Sequence, residues 1–166
     1  MKYSDLRSRI QTGDVLAWSE GGSWLSWRNV QLNLVRMGTM SDYNHVGLAY
    51  VLAGRVFVVE AVVPEIRIFP LSKELPFYYI PTPFRLNEEQ EAKLMGRVGL
   101  PYSKWLAIKS AFTKNTEGEK EWECAKLVNE TLTDFDPGFD LLNDTPAATV
   151  HYLMAKHSCP VEIVEA

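Results

Sequence analysis

A cysteine at the start of an amphipathic segment is the first candidate for chemistry in this sequence. From Glu123 to Leu132 the apolar side chains recur at the offsets of one helix face, and Cys124 lies in its first turn. The unpaired N–H groups and positive dipole end of a first turn favour the thiolate, the form in which cysteine attacks. The upstream acids Glu119, Glu121 and Glu123 disfavour it. The segment alone therefore leaves a nucleophile and an ordinary buried core cysteine both open.

A histidine and a glutamate on a predicted hairpin could complete a catalytic group with that cysteine. His45 shares its strand face with Gly47, whose small size predicts open space beside the imidazole. A turn centred on Ala53-Gly54 places Glu60 opposite Gly47, one diagonal step from His45, so the carboxylate could reach the ring across the glycine. A shift of one residue in register would move Glu60 to the other face, and a structural histidine or a solvated strand-end glutamate stays an alternative.

The elements that must position these side chains follow from hydrophobic periodicity and turn residues. Strands are predicted at Val15–Trp18, at the two hairpin arms (residues 44–51 and 55–61), near Ile66–Phe69 and at Phe77–Ile80. Helices are predicted from Ser23 to about Met37, after the cap Asn87, from near Tyr102, over Glu123–Leu132 and near Ala147–Met154. The predicted order is a strand and a helix, then several strands, then helices. This order predicts an α+β fold.

Length and composition bound the class of protein. The chain has 166 residues, 46% of them hydrophobic, and no repeat or linker, which predicts one domain over residues 1–166. The formal net charge is -4, without the basic excess that phosphate backbones attract, so nucleic acid is not an expected partner. The charged N-terminus and the lack of a long apolar run predict neither a signal peptide nor a transmembrane segment. A cytoplasmic start is expected, and the oligomeric state is left open.

The cysteine and histidine content predicts free thiols and no metal site. The two cysteines, Cys124 and Cys159, are too few for a secreted disulfide framework, although a single bridge between them stays open. His157 and Cys159 form an isolated H-x-C with no second ligand pair at a fitting spacing. We interpret that pair as residues of the C-terminal tail.

Six short segments, taken in order, resemble one known family. They are GDVL at 13–16, NHVGLAY at 44–50, VVEA at 58–61, GLPY at 99–102, ECAKLV at 123–128 and DTPAATV at 144–150. Together they resemble the motifs of the circularly permuted papain-like, NlpC-type cysteine peptidases. Within these the sequence looks most like the YiiX/YebB-like hydrolase group, which is related to the lecithin retinol acyltransferase proteins.

The resemblance implies a small antiparallel β-sheet packed against helices, with the histidine strand before the cysteine helix. By matching position it implies His45 as general base, Glu60 as the residue that orients it, and Cys124 as nucleophile. Tyr102 matches a recurring tyrosine that we expect to contact substrate or oxyanion. The sequence departs from the family pattern at Ala125, where serine is frequent, and at Glu123.

The function implied is a cysteine hydrolase that cleaves an amide bond through an acyl-enzyme, most plausibly in a cell-wall-type peptide. It calls for a small peptide or acyl substrate and for no metal or organic cofactor. Without an export signal, such an enzyme would be released by lysis, delivered by a phage or secretion apparatus, or would act on recycled wall peptides.

Two other classes of function compete with this one. A lipid-directed acyltransferase or thioesterase, as in the lecithin retinol acyltransferase relatives, would use exposed aromatic side chains against an acyl chain. A non-catalytic binding module would keep the cleft without turnover, although intact His45 and Cys124 argue against it. The aromatic candidates for the lipid class are Trp24, Trp27, Phe77, Tyr78 and Tyr79.

Overall fold

A six-stranded antiparallel sheet with helices on both faces forms the described part of the protein. The structure is a computed structural model and describes residues 1–19, 43–101 and 123–166. The strands are β1 (Val15–Trp18), β2 (His45–Leu52), β3 (Arg55–Ala61), β4 (Ile66–Pro70), β5 (Phe77–Ile80) and β6 (Glu162–Val164). The helices are α1 (Tyr3–Leu6), α2 (Glu88–Met95), α3 (Cys124–Leu132) and α4 (Pro146–His157), with 3-10 turns at Leu71–Lys73 and Pro137–Leu141.

The order of the strands across the sheet is β4-β3-β2-β1-β5-β6, and every neighbouring pair is antiparallel. The α+β class predicted from the sequence is therefore confirmed. The predicted strands agree with β1 to β5 to within a residue or so at their ends. The short edge strand β6 and the first helix α1 were not predicted, because segments of three and four residues are too short to show a period.

The hairpin of β2 and β3 has the register that the sequence predicts. Its turn residues both have positive φ, 49° at Ala53 and 73° at Gly54, as a type I′ turn requires. This turn matches the right-handed twist of the two strands and fixes which residues face each other. Leu52 pairs with Arg55 and Leu48 pairs with Val59. Extended by one pair, this register brings Glu60 to Gly47.

Alternate residues of the strands point into two separate cores, one on each face of the sheet. Helix α3 packs on one face, against β2 and β3. That core includes Val46, Leu48, Leu127 and Val128. The opposite core includes Leu6 of α1, Leu16, Trp18 and Leu71. Both faces are thus covered, and α3 is seated directly over the histidine strand.

The predicted helices that lie in the described residues are present. Asn87 caps α2, where its side chain accepts from the Gln90 amide and the Gln90 side chain accepts from the Asn87 amide. Helix α4 is longer than predicted and reaches His157, because its buried face continues to Leu153 and the chain turns only at Ser158, where φ is 52°.

The segment that the sequence suggested was a tail is packed into the fold. His157 Nε2 lies 2.8 Å from Asp136 Oδ2, and the His157 ring is parallel to that of Phe139 to within 2°. Cys159 is buried, and the chain continues into β6 beside β5. Cys124 and Cys159 are both free thiols, as expected, and no disulfide joins them.

Several predictions lie outside the described residues and stay predictions. They are the helix from Ser23 to about Met37 and the helix from near Tyr102. The single domain over residues 1–166 also stays a prediction. Among the described helices, none is long and apolar enough to span a bilayer.

Candidate active site

The hairpin brings Glu60 to His45, as its register predicts. His45 Nε2 lies 2.6 Å from Glu60 Oε2, and both side chains are buried. Gly47 lies between them, and a Cβ there would come within 2.7 Å of Val58 Cγ2 and 3.2 Å of the Glu60 Cβ. Val58 and Glu60 thus fill the space that the glycine leaves, and the carboxylate reaches the imidazole across the glycine as the sequence predicted. Glycine is needed for close approach, and the result is a buried carboxylate–imidazole pair.

An arginine that the sequence analysis missed completes the surroundings of Glu60. Arg67 faces Glu60 directly across the β3–β4 ladder. Its Nε and Nη2 donate to Glu60 Oε1 at 2.9 and 2.6 Å, and Nη2 also donates to Glu74 Oε1 at 3.0 Å. The signal in the sequence was an arginine inside the apolar run Ile66–Phe69, but an arginine that points outward into solvent gives the same pattern. Only the buried glutamate across the ladder distinguishes a site residue from a surface residue at this position.

Trp18 packs against the other side of the histidine. It pairs with His45 across the β1–β2 ladder, and the two ring centroids are 5.3 Å apart. Its indole Nε1 donates to the Glu74 carbonyl oxygen at 2.8 Å. The imidazole is thus held by a carboxylate at one nitrogen and by an aromatic wall. These two contacts fix the orientation of the ring.

Cys124 is the first residue of α3 and is 8% exposed. Glu123, the preceding residue, is extended and its side chain does not cap the helix, so the first-turn amides keep their capacity to bind an anion. The Cys124 side chain lies close enough to His45 to help raise the pKa of its imidazole. Because Nε2 faces Glu60, Nδ1 is the ring nitrogen left for the sulfur. Thiol, imidazole and carboxylate therefore form a continuous line.

Charge interactions within this line shift the pKa values of His45 and Glu60 in opposite directions. Burial by itself lowers the pKa of His45, but hydrogen bonds and charge interactions with Cys124 and Glu60 outweigh it and raise that pKa to about 9. Burial by itself raises the pKa of Glu60, but His45 and Arg67 outweigh it and lower that pKa to about 2. At neutral pH the pair is an imidazolium and a carboxylate. Strongly shifted pKa values of this kind are typical of functional sites.

The pKa shifts predict how stability depends on pH. The ordinary pKa of histidine is 6.5, so the contribution of His45 is full below pH 6.5 and is lost as the pH rises toward 9. The ordinary pKa of glutamate is 4.5, so the contribution of Glu60 is full above pH 4.5 and is lost as the pH falls toward 2. We expect the free energy of unfolding to be highest between pH 4.5 and pH 6.5. On the alkaline limb, as the pH rises from 6.5 toward 9, it should fall by on the order of 1–3 kcal/mol.

Urea unfolding at intervals from pH 5 to pH 10 measures this dependence. Glu65→Gln, a change of an exposed glutamate in the β3–β4 loop, is the control and should leave the alkaline limb as it is. A free energy of unfolding that stays constant between pH 6.5 and pH 9 in the wild type would contradict the ionised pair.

The other predicted site residues and aromatic residues have mixed outcomes. Tyr102, Trp24 and Trp27 lie outside the described residues. Phe77 and Tyr79 are 1% and 2% exposed, so they are core residues and do not offer an acyl-binding surface as the lipid alternative supposed. Tyr78 is partly buried and its hydroxyl accepts from Ser19 Oγ at 3.1 Å.

No metal-binding cluster is present in the part of the chain that the structure describes. Among residues 1–19, 43–101 and 123–166, no group of three or more His, Cys, Asp or Glu side chains could hold an ion. His157, half of the H-x-C pair, binds Asp136, whose carboxylate also accepts from Tyr152 and Lys156. These hydrogen bonds to Asp136 therefore join α4 to the loop that precedes it.

Comparison with known proteins shows the fold. No family model matches the sequence, and no curated protein matches it. Solved structures that match include the crystal structure of a protein described as metalloprotein yiiX from Escherichia coli O157:H7, DUF1105. The TM-score is 0.52 and the identity is 21%, over 75% of this chain and 66% of that chain. The chain is thus similar in fold to yiiX and spans just under two thirds of its length.

Proposed function

We propose that this protein is a cysteine hydrolase of permuted papain-like, NlpC-type architecture that cleaves an amide bond through an acyl-enzyme. Cys124 is the nucleophile, His45 the general base and acid, and Glu60 the residue that orients His45. The observation that carries the proposal is the buried line of carboxylate, imidazole and thiol, with the sulfur at a helix N-terminus. A nucleophile next to a base, which is itself oriented by a third group, is the general arrangement for covalent catalysis.

The first half of the reaction forms a thioester. With the thiol proton already held by His45 as its imidazolium, the sulfur of Cys124 attacks the amide carbonyl carbon as a thiolate, forming a C–S bond while the C=O electron pair moves to oxygen. The backbone N–H of Cys124, with a second donor, stabilises that oxyanion, and one such donor is typically worth about 10²–10³ in rate. The intermediate collapses as the C–N bond breaks, and His45 gives its proton to the departing amine.

The second half of the reaction releases the sulfur of Cys124 and restores the imidazolium of His45. His45 accepts a proton from water as the water oxygen attacks the thioester carbonyl, and the C–S bond then breaks to release a carboxylic acid. His45 keeps that proton, and its imidazolium again faces the sulfur of Cys124. The buried Glu60 stabilises the imidazolium at each stage, because its pKa is too low for it to take the proton itself.

We infer a cell-wall-type peptide as the substrate from the sequence resemblance to the NlpC-type peptidases. The lipid-directed alternative has less support than the sequence suggested, because Phe77 and Tyr79 are buried. Muropeptides and phospholipids are therefore the two substrate classes to compare. A protein that binds a muropeptide without converting it would instead be the binding module.

The neighbour yiiX is described as a metalloprotein, but the described residues of this chain do not fit a protein-bound metal. Both oxygens of the Glu60 carboxylate are engaged, Oε2 with His45 and Oε1 with Arg67. The mechanism proposed here therefore uses thiol and imidazole chemistry alone.

Thiol labelling tests the nucleophile before any substrate is known. At neutral pH we expect iodoacetamide to modify Cys124 at least tenfold faster than Cys159, although both are buried. Burial, followed by the charge of Asp14, raises the pKa of the Cys159 thiol, whereas Cys124 has an imidazolium partner. Mass spectrometry of the digested protein measures the two rates.

The matched control is His45→Gln, which keeps a polar side chain but removes the imidazolium. Labelling of Cys124 should slow in this variant, and labelling of Cys159 should not change. If Cys159 is modified first in the folded wild type, Cys124 is not an activated thiol and the proposed function fails.

A further inference from the structure

A closed circuit of contacts surrounds His45 behind the proposed nucleophile. Glu60 binds the imidazole, Arg67 binds Glu60, and Glu74 binds Arg67. The Glu74 carbonyl oxygen then accepts from the indole of Trp18, whose ring packs against His45. The contacts thus form a closed ring that reaches the imidazole from both sides. Each of these residues therefore helps to fix the positions of the others.

The two oxygens of the Glu60 carboxylate have separate partners. Arg67 donates both Nε and Nη2 to Oε1, at 2.9 and 2.6 Å, while His45 Nε2 lies 2.6 Å from Oε2. A guanidinium offers its N–H groups in a rigid plane, so it fixes the rotation of the carboxylate as well as its charge. A lysine in this place would supply only the charge.

Glu74 fixes the arginine in turn. It is 6% exposed at the end of the 3-10 turn Leu71–Lys73, and its Oε1 accepts from the same Nη2 that binds Glu60. The guanidinium also lies over the Phe69 ring, 4.3 Å from its centroid. Arg67 is therefore held from both sides, even though about a third of its side chain, 34%, is exposed to solvent.

We propose that Arg67, anchored by Glu74, is a positioning residue that occupies one oxygen of Glu60 so that the other is presented to His45 in a single orientation. The inference rests on the proposed function and deepens it. Along the site the charges alternate between imidazolium, carboxylate, guanidinium and carboxylate. Without the arginine, Glu60 would be a buried carboxylate free to turn and with one cation less to hold its charge.

The test follows the Glu60 carboxyl directly, by its ¹³C resonance as a function of pH. The resonance is assigned by its loss in Glu60→Gln. In Arg67→Met we expect the titration midpoint to rise by about 1–3 pH units, the usual effect of an adjacent arginine on a carboxylate. Arg67→Lys, which keeps the charge without the two-pronged contact, should give a smaller rise.

Two further variants separate positioning from folding. Arg55→Met removes the same charge from an exposed site at the far end of β3 and should leave the midpoint unchanged. If Arg67→Met does not fold, the Glu60 titration midpoint is measured in Glu74→Gln instead. That change loosens Arg67 without removing it, so it should also raise the Glu60 midpoint. A lower unfolding temperature with an unmoved Glu60 midpoint would overturn the inference and leave Arg67 a structural residue.

Turnover distinguishes this inference from the proposed function. If the wild type hydrolyses no amide or ester offered to it while Arg67→Met still raises the Glu60 midpoint, the positioning role stands and the hydrolase proposal fails. If the wild type is active and Arg67→Met retains the wild-type turnover and the wild-type pH profile, the positioning role fails and the hydrolase proposal stands.

Discussion

Cys124→Ala is expected to lower turnover of a susceptible muropeptide by on the order of 10⁴–10⁶. Covalent catalysis needs the sulfur, and removing the nucleophile of a catalytic group costs about as much as removing the whole group. The fold should survive, because the change removes one atom from a small side chain that is 8% exposed at the first residue of α3. We expect a stability cost of about 1 kcal/mol or less. Initial rates and thermal unfolding of the same preparations measure both effects.

Cys159→Ala is the matched control for this experiment. Cys159 is also a buried free thiol, but it follows α4 and its sulfur contacts the His157 carbonyl oxygen. This variant should keep wild-type turnover. Equal turnover by Cys124→Ala and wild type would remove the cysteine mechanism, whichever substrate is used. If the wild type converts phospholipids but not muropeptides, and Cys124→Ala loses that activity, Cys124 remains the nucleophile. The protein would then be assigned to the acyltransferase or thioesterase class instead.

Glu60→Gln is expected to have the largest effect on stability and a large one on catalysis. Glu60 is fully buried between His45 and the Arg67 guanidinium, so the neutral amide leaves two cations without their shared anion. Breaking a buried ion pair by removing one partner typically costs about 3–5 kcal/mol. Turnover should fall by about 10²–10⁴, because the His45 imidazolium loses its counter-charge and its orientation.

Chemical denaturation and the pH dependence of turnover measure these two effects of Glu60→Gln. Glu65→Gln is again the control, since it removes an equal charge from an exposed position five residues along the chain. We expect the control to stay within about 0.5 kcal/mol of the wild type. A stable and fully active Glu60→Gln protein would mean that the carboxylate neither orients His45 nor holds its charge.

Part of the site follows from local rules that act within the hairpin. The alternation of residues along β2 and β3, with a turn at Ala53-Gly54, was sufficient to place Glu60 beside His45. The same rules do not show how closely Val58 and Glu60 of the partner strand pack on Gly47, because side-chain volume is not visible in a pattern of alternating faces.

The arginine could not be found in this way. Arg67 reaches Glu60 only if the loop between β3 and β4 gives one particular register, and that loop has no turn signal as specific as Ala53-Gly54. Glu74 enters from the 3-10 turn after β4, whose path depends on packing against the core that contains Leu71. Arg67 and Glu74 therefore meet only in the tertiary structure. From the strand pattern alone, both would be predicted to be ordinary surface charges.

The sequence by itself determined strands β1 to β5, the helix that begins at Cys124, the hairpin register and hence the His45–Glu60 pair. Periodicity and turn chemistry act over a few residues, so they are legible in one sequence. Only the tertiary structure decided that α3 packs over β2 and brings the sulfur to His45, and that Arg67 holds the far side of Glu60. Those contacts join segments far apart in the chain, and they form only where the burial of two apolar faces outweighs the entropy of closing the intervening loops.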